Sequence, residues 1–155
     1  MPKAKVRNPR KSFQYSIIFP KHPINSYMAQ KVTLPDVEVE EVTHGDINRD
    51  VKTAGRIKVG DLSIEKLCTT SGSDTWAFDW LSSCQDMLVG GGLVPSQYWE
   101  TIIVNELAED GVSILNSWIL DEVWPKKISG LELDRKSSDN TIDHITFSVG
   151  TCDKQ

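Results

Sequence analysis

The sequence predicts a mainly β protein: a small β-sandwich or barrel with one flanking α-helix and a long protruding β-hairpin. Three observations carry that prediction. Apolar and polar residues alternate at period two through most of the chain, as strands with one buried face require. Turn formers such as Glu109-Asp110-Gly111 separate these stretches at hairpin spacing. Only the segment from about Thr75 to Leu88 places its apolar residues at helical spacing. A run of hairpins interrupted by one helix packs as a sandwich or barrel with the helix on its flank or end.

Residues 1–12 carry Lys3, Lys5, Arg7, Arg10 and Lys11 with no acidic residue. They read as a basic arm, mobile unless a partner holds it; a solubilising tail fits the same composition. Residues 13–155 form one β domain. Phe13 to Ile17 is the first strand, ended by Pro20 and Pro23. A short extended piece follows between Ala29 and Pro35, carrying Val32 and Leu34. Val37 to Thr43 and Arg56 to Ile64 then fold back on one another, with Val37, Val39, Ile57 and Val59 expected on a buried face. The alternation slips at Glu40-Glu41 and again at Gly60-Asp61, as it does at a β-bulge. Between these strands His44 to Gly55 is polar and turn-rich. It cannot pack a core of its own, so it is expected to lie on a neighbouring molecule.

Thr70 to Asp74 supplies small polar residues and a carboxylate for a helix start. Ala77, Trp80, Leu81, Cys84 and Leu88 share one face of that helix, and Gly90-Gly91-Gly92 is expected to end it. Glu100–Leu107 and Ser113–Leu120 form a hairpin. Val123–Ile128 is expected at a sheet edge, because Pro125 has no amide hydrogen for a central ladder. A polar loop from Asp134 to Asn140 leads to a closing strand holding Ile145, Phe147 and Val149.

At 155 residues the chain is one domain with room for a core. A net charge of −5 speaks against a duplex-DNA reader, which presents a basic face. No apolar run reaches the length of a membrane span. The only apolar run after the basic start is Ile17-Ile18-Phe19, too short for a signal-peptide core, so synthesis and retention in the cytoplasm are expected. Cys68, Cys84 and Cys152 are far apart with no C-x-x-C, so neither a zinc site nor a disulfide framework is indicated. Cys84 is expected in the core. Cys68 and Cys152, near strand ends, are candidates to bridge subunits in an oxidising exterior.

Catalytic chemistry finds little support. His22, His44 and His144 stand apart, with no second ligand at metal-motif spacing. Asp143 and His144 are strand neighbours and point to opposite faces. The glycine triplet leaves a helix, whereas a phosphate loop opens one. Glu40-Glu41 and Asp46/Asp50 lack the buried setting that tunes a carboxyl group for proton transfer. The five tryptophans fit core and interface packing better than a stacking platform. No cofactor, metal or catalytic residue is expected.

Three stretches, in this order, resemble the tail tube proteins of contractile-tailed bacteriophages. They are Ala54 to Lys66, with its glycine-arginine strand; the tryptophan-bearing helix Asp74 to Trp80; and Trp118 to Gly130, with its tryptophan-proline strand. Ser137 to Asn140 and Ile142 to Val149 stand where that family has a polar loop and a closing strand. Gly92 to Trp99 departs from the pattern, replacing a short basic turn, and the basic start is longer than the family's.

The resemblance implies a hexameric ring that stacks head-to-tail into a hollow tube inside a contractile sheath. Implied partners are further copies of the chain, the tail sheath protein, and the baseplate and tail terminator proteins. The tape measure protein and DNA would pass through the lumen without specific binding. The chain would be made in the host bacterial cytoplasm and end in the virion tail. His44, Asp46, Asn48, Arg49, Asp50 and Lys52 are the expected inter-ring hairpin contacts. Glu38, Glu40 and Glu41 are expected lumenal carboxylates that let DNA phosphates slide. Two alternatives remain open: a tube subunit of a bacteriocin or secretion particle, and a monomeric β-barrel binding module.

Overall fold

The computed structural model describes residues 11–22, 29–68 and 75–155. The alternating segments become nine strands: β1 (Tyr15–Ile18), β2 (Ala29–Thr33), β3 (Val37–Gly45), β4 (Asp50–Val59), β5 (Asp61–Leu67), β6 (Glu100–Leu107), β7 (Ile114–Ile128), β8 (Ile142–Ser148) and β9 (Thr151–Lys154). Between β5 and β6 run two helices, α1 (Trp76–Cys84) and the single turn α2 (Pro95–Tyr98). Most of the basic arm, Pro23 and the expected helix start at Thr70 to Asp74 lie outside the described residues.

Seven strands form one antiparallel sheet in the order β1-β6-β7-β8-β5-β2, with β9 added on β7. β3 and β4 form a separate two-stranded sheet. The long β7 serves both halves of the larger sheet: it ladders on β6 as far as Val123 and on β8 from Trp124 to Ile128. Glu122, just before the change of partner, has φ 56. Gly150 lies against it, donating its N–H to the Asp121 carbonyl at 3.1 Å. A Cβ at residue 150 would come within 2.6 Å of the Glu122 Cβ, so only glycine fits. A left-handed backbone costs a non-glycine residue about 1–2 kcal/mol, partly offset by glycine's greater freedom when unfolded. Glu122→Gly is therefore expected to stabilise the fold by about 0.5–1 kcal/mol in a denaturant titration. A loss of stability would mean that the glutamate side chain contributes more than its backbone costs.

Alternation delivers the core directly. Leu62 and Ile64 of β5 face Ile145 and Phe147 of β8, while Ile102, Val104, Leu120 and Val123 fill the other half. α1 closes this core with Trp76, Ala77 and Trp80. The Trp76 ring lies 5.2 Å from Phe19, and the Trp80 ring 5.4 Å from Phe147.

The β6–β7 turn is held by one side chain. Asp110 accepts hydrogen bonds from the Val112 and Ser113 amides and from the Ser113 hydroxyl. Led by the Ser113 hydroxyl bond, these bonds lower the Asp110 pKa to about 2. A depressed carboxyl pKa supports the turn above the ordinary range and loses that support as pH falls through the folded value. Relative to the intrinsic exchange rate at each pH, the Val112 and Ser113 amides are expected to be protected at pH 4, to lose protection toward pH 2, and to lack it at pH 7 in Asp110→Ala. Equal protection in the variant at pH 7 would contradict the assignment.

Several expectations are corrected. β1 is Tyr15–Ile18, with Phe13 outside it. The hairpin's second strand stops at Val59, and β5 is a separate strand in the main sheet, where the sequence reads Arg56 to Ile64 as one. α1 ends at Cys84, before the glycines, because Asp86 captures the amides of Leu88 and Val89 in a turn. Leu88, expected on the helix's apolar face, is 97% exposed. A second, one-turn helix was not expected. β7 is one strand where two were expected, and Pro125 is buried in it. The proline argument still holds locally, since β7 at Pro125 is laddered on β8 alone. β9 was not foreseen.

Candidate assembly surface

The β3–β4 hairpin stands apart from the sheet and is anchored at its base. There the Gly60 amide donates to the Asp36 carbonyl at 2.7 Å, and Val59 packs against the core. The strands pair from Val37↔Val59 to Gly45↔Asp50, with a register shift between Val39 and Glu41. The extra residue is on β4, where Gly55 and Arg56 stand opposite Glu40, so the bulge expected at Glu40-Glu41 lies on the facing strand and β3 itself alternates without a break. Ion pairs tie the strands together, Lys58 to Glu40 at 2.5 Å and Lys52 to Glu41 at 3.5 Å. The face expected to be buried is open in the single chain: Val39 is 48% exposed and Ile57 67%.

The hairpin candidates are spread along this element. His44 lies in β3, Asp50 and Lys52 lie in β4, and Asp46, Asn48 and Arg49 make or flank the turn. The turn is closed by the Asp46 amide donating to the Arg49 carbonyl at 2.9 Å. Much of the polar His44 to Gly55 segment is therefore strand, where a loop was expected. The three carboxylates expected in the lumen are not brought together: Glu38 and Glu40 share one face and Glu41 takes the other. β4 also sets Lys52, Arg56 and Lys58 beside them, so the hairpin as a whole is close to neutral.

A second open surface was invisible in the sequence. β1 and β2 end the order β1-β6-β7-β8-β5-β2 without pairing each other. The seam between them is a groove of about 1500 Å³ lined by Phe13, Tyr15, Ile18, Val32, Leu34 and Trp118, among others. Tyr15 spans it by donating its hydroxyl hydrogen to the Ala29 carbonyl at 3.3 Å. Unpaired strand edges and exposed apolar side chains are what association covers.

Potential metal-ligating side chains are dispersed among the described residues. No group of three or more His, Cys, Asp and Glu side chains converges there. Burial pushes the Cys84 thiol up, with a Ser83 hydrogen bond opposing and the Glu100 charge adding to it. Burial and the neighbouring Asp153 push Cys152 up as well. Both thiols are poor nucleophiles at neutral pH. Cys84 packs against the core from a partly buried position. Trp76 and Trp80 are core residues, and their rings are not free for a ligand. Among the described residues no helix is long and apolar enough to cross a membrane.

The fold is shared with solved chains of contractile injection systems and with Hcp1. The tube-terminating cap of the anti-feeding prophage superposes with a TM-score of 0.80 at 14% identity, over 99% of this chain and 95% of that one. A chain of the PVC extracellular injection system's sheath-tube complex gives 0.77 at 17% identity, over 97% and 93%. Hcp1 from Flavobacterium johnsoniae gives 0.54 at 14% identity, over 90% and 93%. No curated protein matches the sequence. The chain belongs to the family described as T4-like virus tail tube protein gp19, whose model matches residues 11–151. It is a tail tube protein, a structural subunit, as the three resembling stretches implied.

Proposed function

We propose that six copies close into a ring and that rings stack head-to-tail into a hollow tube inside a contractile sheath, through which DNA reaches the host. One observation carries this reading: a hairpin stands off the body with apolar side chains in solvent, beside a sheet whose two end strands pair on one side only among the described residues. A ring closed by head-to-tail contacts covers such edges in neighbours, and stacking extends it without limit until something caps it. The sheath, baseplate and terminator proteins are the partners this assembly requires, and the tape measure protein and DNA occupy its bore. Its work is mechanical, with no turnover. Synthesis in the host cytoplasm precedes incorporation into the virion tail. His44, Asp46, Asn48, Arg49, Asp50 and Lys52 bridge rings, and Glu38, Glu40 and Glu41 keep the bore from binding phosphates.

Electron microscopy of the purified chain at rising concentration tests the reading. Rings and open-ended tubes are expected; a monomer with a tight small-molecule ligand would favour a binding module. The structural likeness to the anti-feeding prophage and PVC particles supports a second reading, a tube subunit of a bacteriocin or secretion injection particle. Neighbouring genes for capsid, portal and terminase decide for the phage.

A further inference from the structure

The hairpin's apolar surface changes sides halfway along its length. Residues opposite one another in an antiparallel pair share a face. Below the register shift, Val37↔Val59 and Val39↔Ile57 make one face apolar, while Glu38↔Lys58 makes the other charged. From Val39 to Glu41 β3 advances two residues, while β4 retreats three, from Ile57 to Ala54. That extra residue moves β4's later side chains to the opposite face. Beyond it Val42, His44, Val51 and Thr53 share the face that carried the charges below, and Glu41 and Lys52 take the face that carried the valines. The ion pairs follow the same division: Lys58–Glu40 backs the apolar base, and Lys52–Glu41 backs the apolar tip. Gly55 sits at the crossover because a Cβ there would meet the Val42 Cγ2 at 3.0 Å and the Glu40 carbonyl at 3.1 Å.

Each level of the hairpin therefore offers one apolar face and one charged face, and the two levels face opposite ways. One flat partner surface cannot cover both. We propose that the hairpin is a two-sided clamp between two further copies of this chain. The base face, Val37, Val39 and Ile57, packs on the neighbour within the same ring; the tip face, Val42 and Val51, packs on a copy in the adjacent ring. The assignment follows from reach. Val39 and Ile57 sit beside the body, where a ring neighbour lies. At about 3.3 Å per residue, the tip of β3 stands roughly 25 Å from its base, farther than the roughly 20 Å that the seven-residue strands β5 and β8 extend through the body.

The proposal rests on the stacked-ring reading, and its test separates the two. Two double variants each place an oppositely charged pair where apolar side chains pack, so that the hairpin itself stays paired. Val39→Lys with Ile57→Glu alters the base; Val42→Lys with Val51→Glu alters the tip. All four residues are solvent-exposed in the single chain, and unchanged monomer melting confirms that each variant folds. In electron microscopy and sedimentation the base variant is expected to form no rings. The tip variant is expected to form rings, with tube yield about a hundredfold lower or less, because two charges would be buried at each junction. Rings from the base variant, or loss of rings in the tip variant, would overturn the two-neighbour assignment while tubes from the unsubstituted chain uphold stacking. An unsubstituted chain that makes neither ring nor tube would overturn both.

Discussion

Trp80→Ala is expected to destabilise the subunit by about 3–5 kcal/mol, the largest effect of any single substitution proposed for this chain. Trp80 is buried, and its ring clusters with Phe147 at 5.4 Å and Trp76 at 6.1 Å. Its Nε1 donates to the Tyr98 carbonyl at 2.7 Å, fastening α2 to α1. Removing the ring leaves a cavity at the point where the helix closes the core, and the surrounding strands cannot collapse to fill it. Stability of a typical domain is about 5–15 kcal/mol, so a loss of this size leaves little in reserve. Trp80→Phe keeps most of the aromatic contact and loses the hydrogen bond, at a cost nearer 1–2 kcal/mol. Denaturant titration of both variants checks the order. Equal losses would show that the hydrogen bond, and not the ring's packing, holds α1 on the core.

The second large effect separates folding from assembly. Replacing residues 40–56 by Asn-Gly, which keeps Val39 opposite Ile57 across a two-residue turn, is expected to leave monomer stability within about 0.5 kcal/mol of the parent and to abolish tube formation. The excised part contributes nothing to the buried core, whose members come from β1, β5 to β8, α1 and their connections. Its polar groups are paired within the hairpin or exposed, so removing it uncovers no buried donor or acceptor. A chain that melts like the parent yet stays in solution as monomer or single ring would place the hairpin's role wholly between copies. Tubes from the shortened chain would contradict that placement. Loss of the folded monomer would show that the hairpin supports the sheet it leaves.

The contrast between core and hairpin explains how far the sequence could be read. β5 and β8 were legible because Leu62, Ile64, Ile145 and Phe147 alternate with polar residues and bury one face. Burial on one side is what writes a period of two into a sequence. The outer hairpin buries neither face in the single chain, so from His44 to Gly55 composition looked like loop although β3 and β4 are paired there. α1 was overextended for a different reason. Leu88 keeps helical spacing from Cys84, but the Asp86 carboxylate takes the amides that a further turn would need. Pro125 misled because β7 is central in the sheet yet one-sided at that residue. β9 is four residues of mostly polar sequence and carries no signal beyond its pairing with β7.

The assembly surface was half visible. His44, Asp46, Asn48, Arg49, Asp50 and Lys52 were picked out because a polar projection with no core must rest on something else. That they line both strands and the turn depended on register. The acidic reading of Glu38, Glu40 and Glu41 considered one strand alone; the facing strand supplies Lys52 and Lys58 within ion-pair distance. The groove between β1 and β2 could not be foreseen, because which strands stay unpaired is a property of the strand order.

The measurement that tests the account most directly is a cryo-electron microscopy map of assembled tubes at side-chain resolution. It is expected to show hexameric rings, with residues 44–52 of each subunit against a subunit of the adjacent ring and Val39 and Ile57 covered by a neighbour in the same ring. Glu38, Glu40 or Glu41 should face a bore of net negative charge. A tube whose hairpins lie free on the outer surface, or whose bore is lined by lysine and arginine, would contradict it.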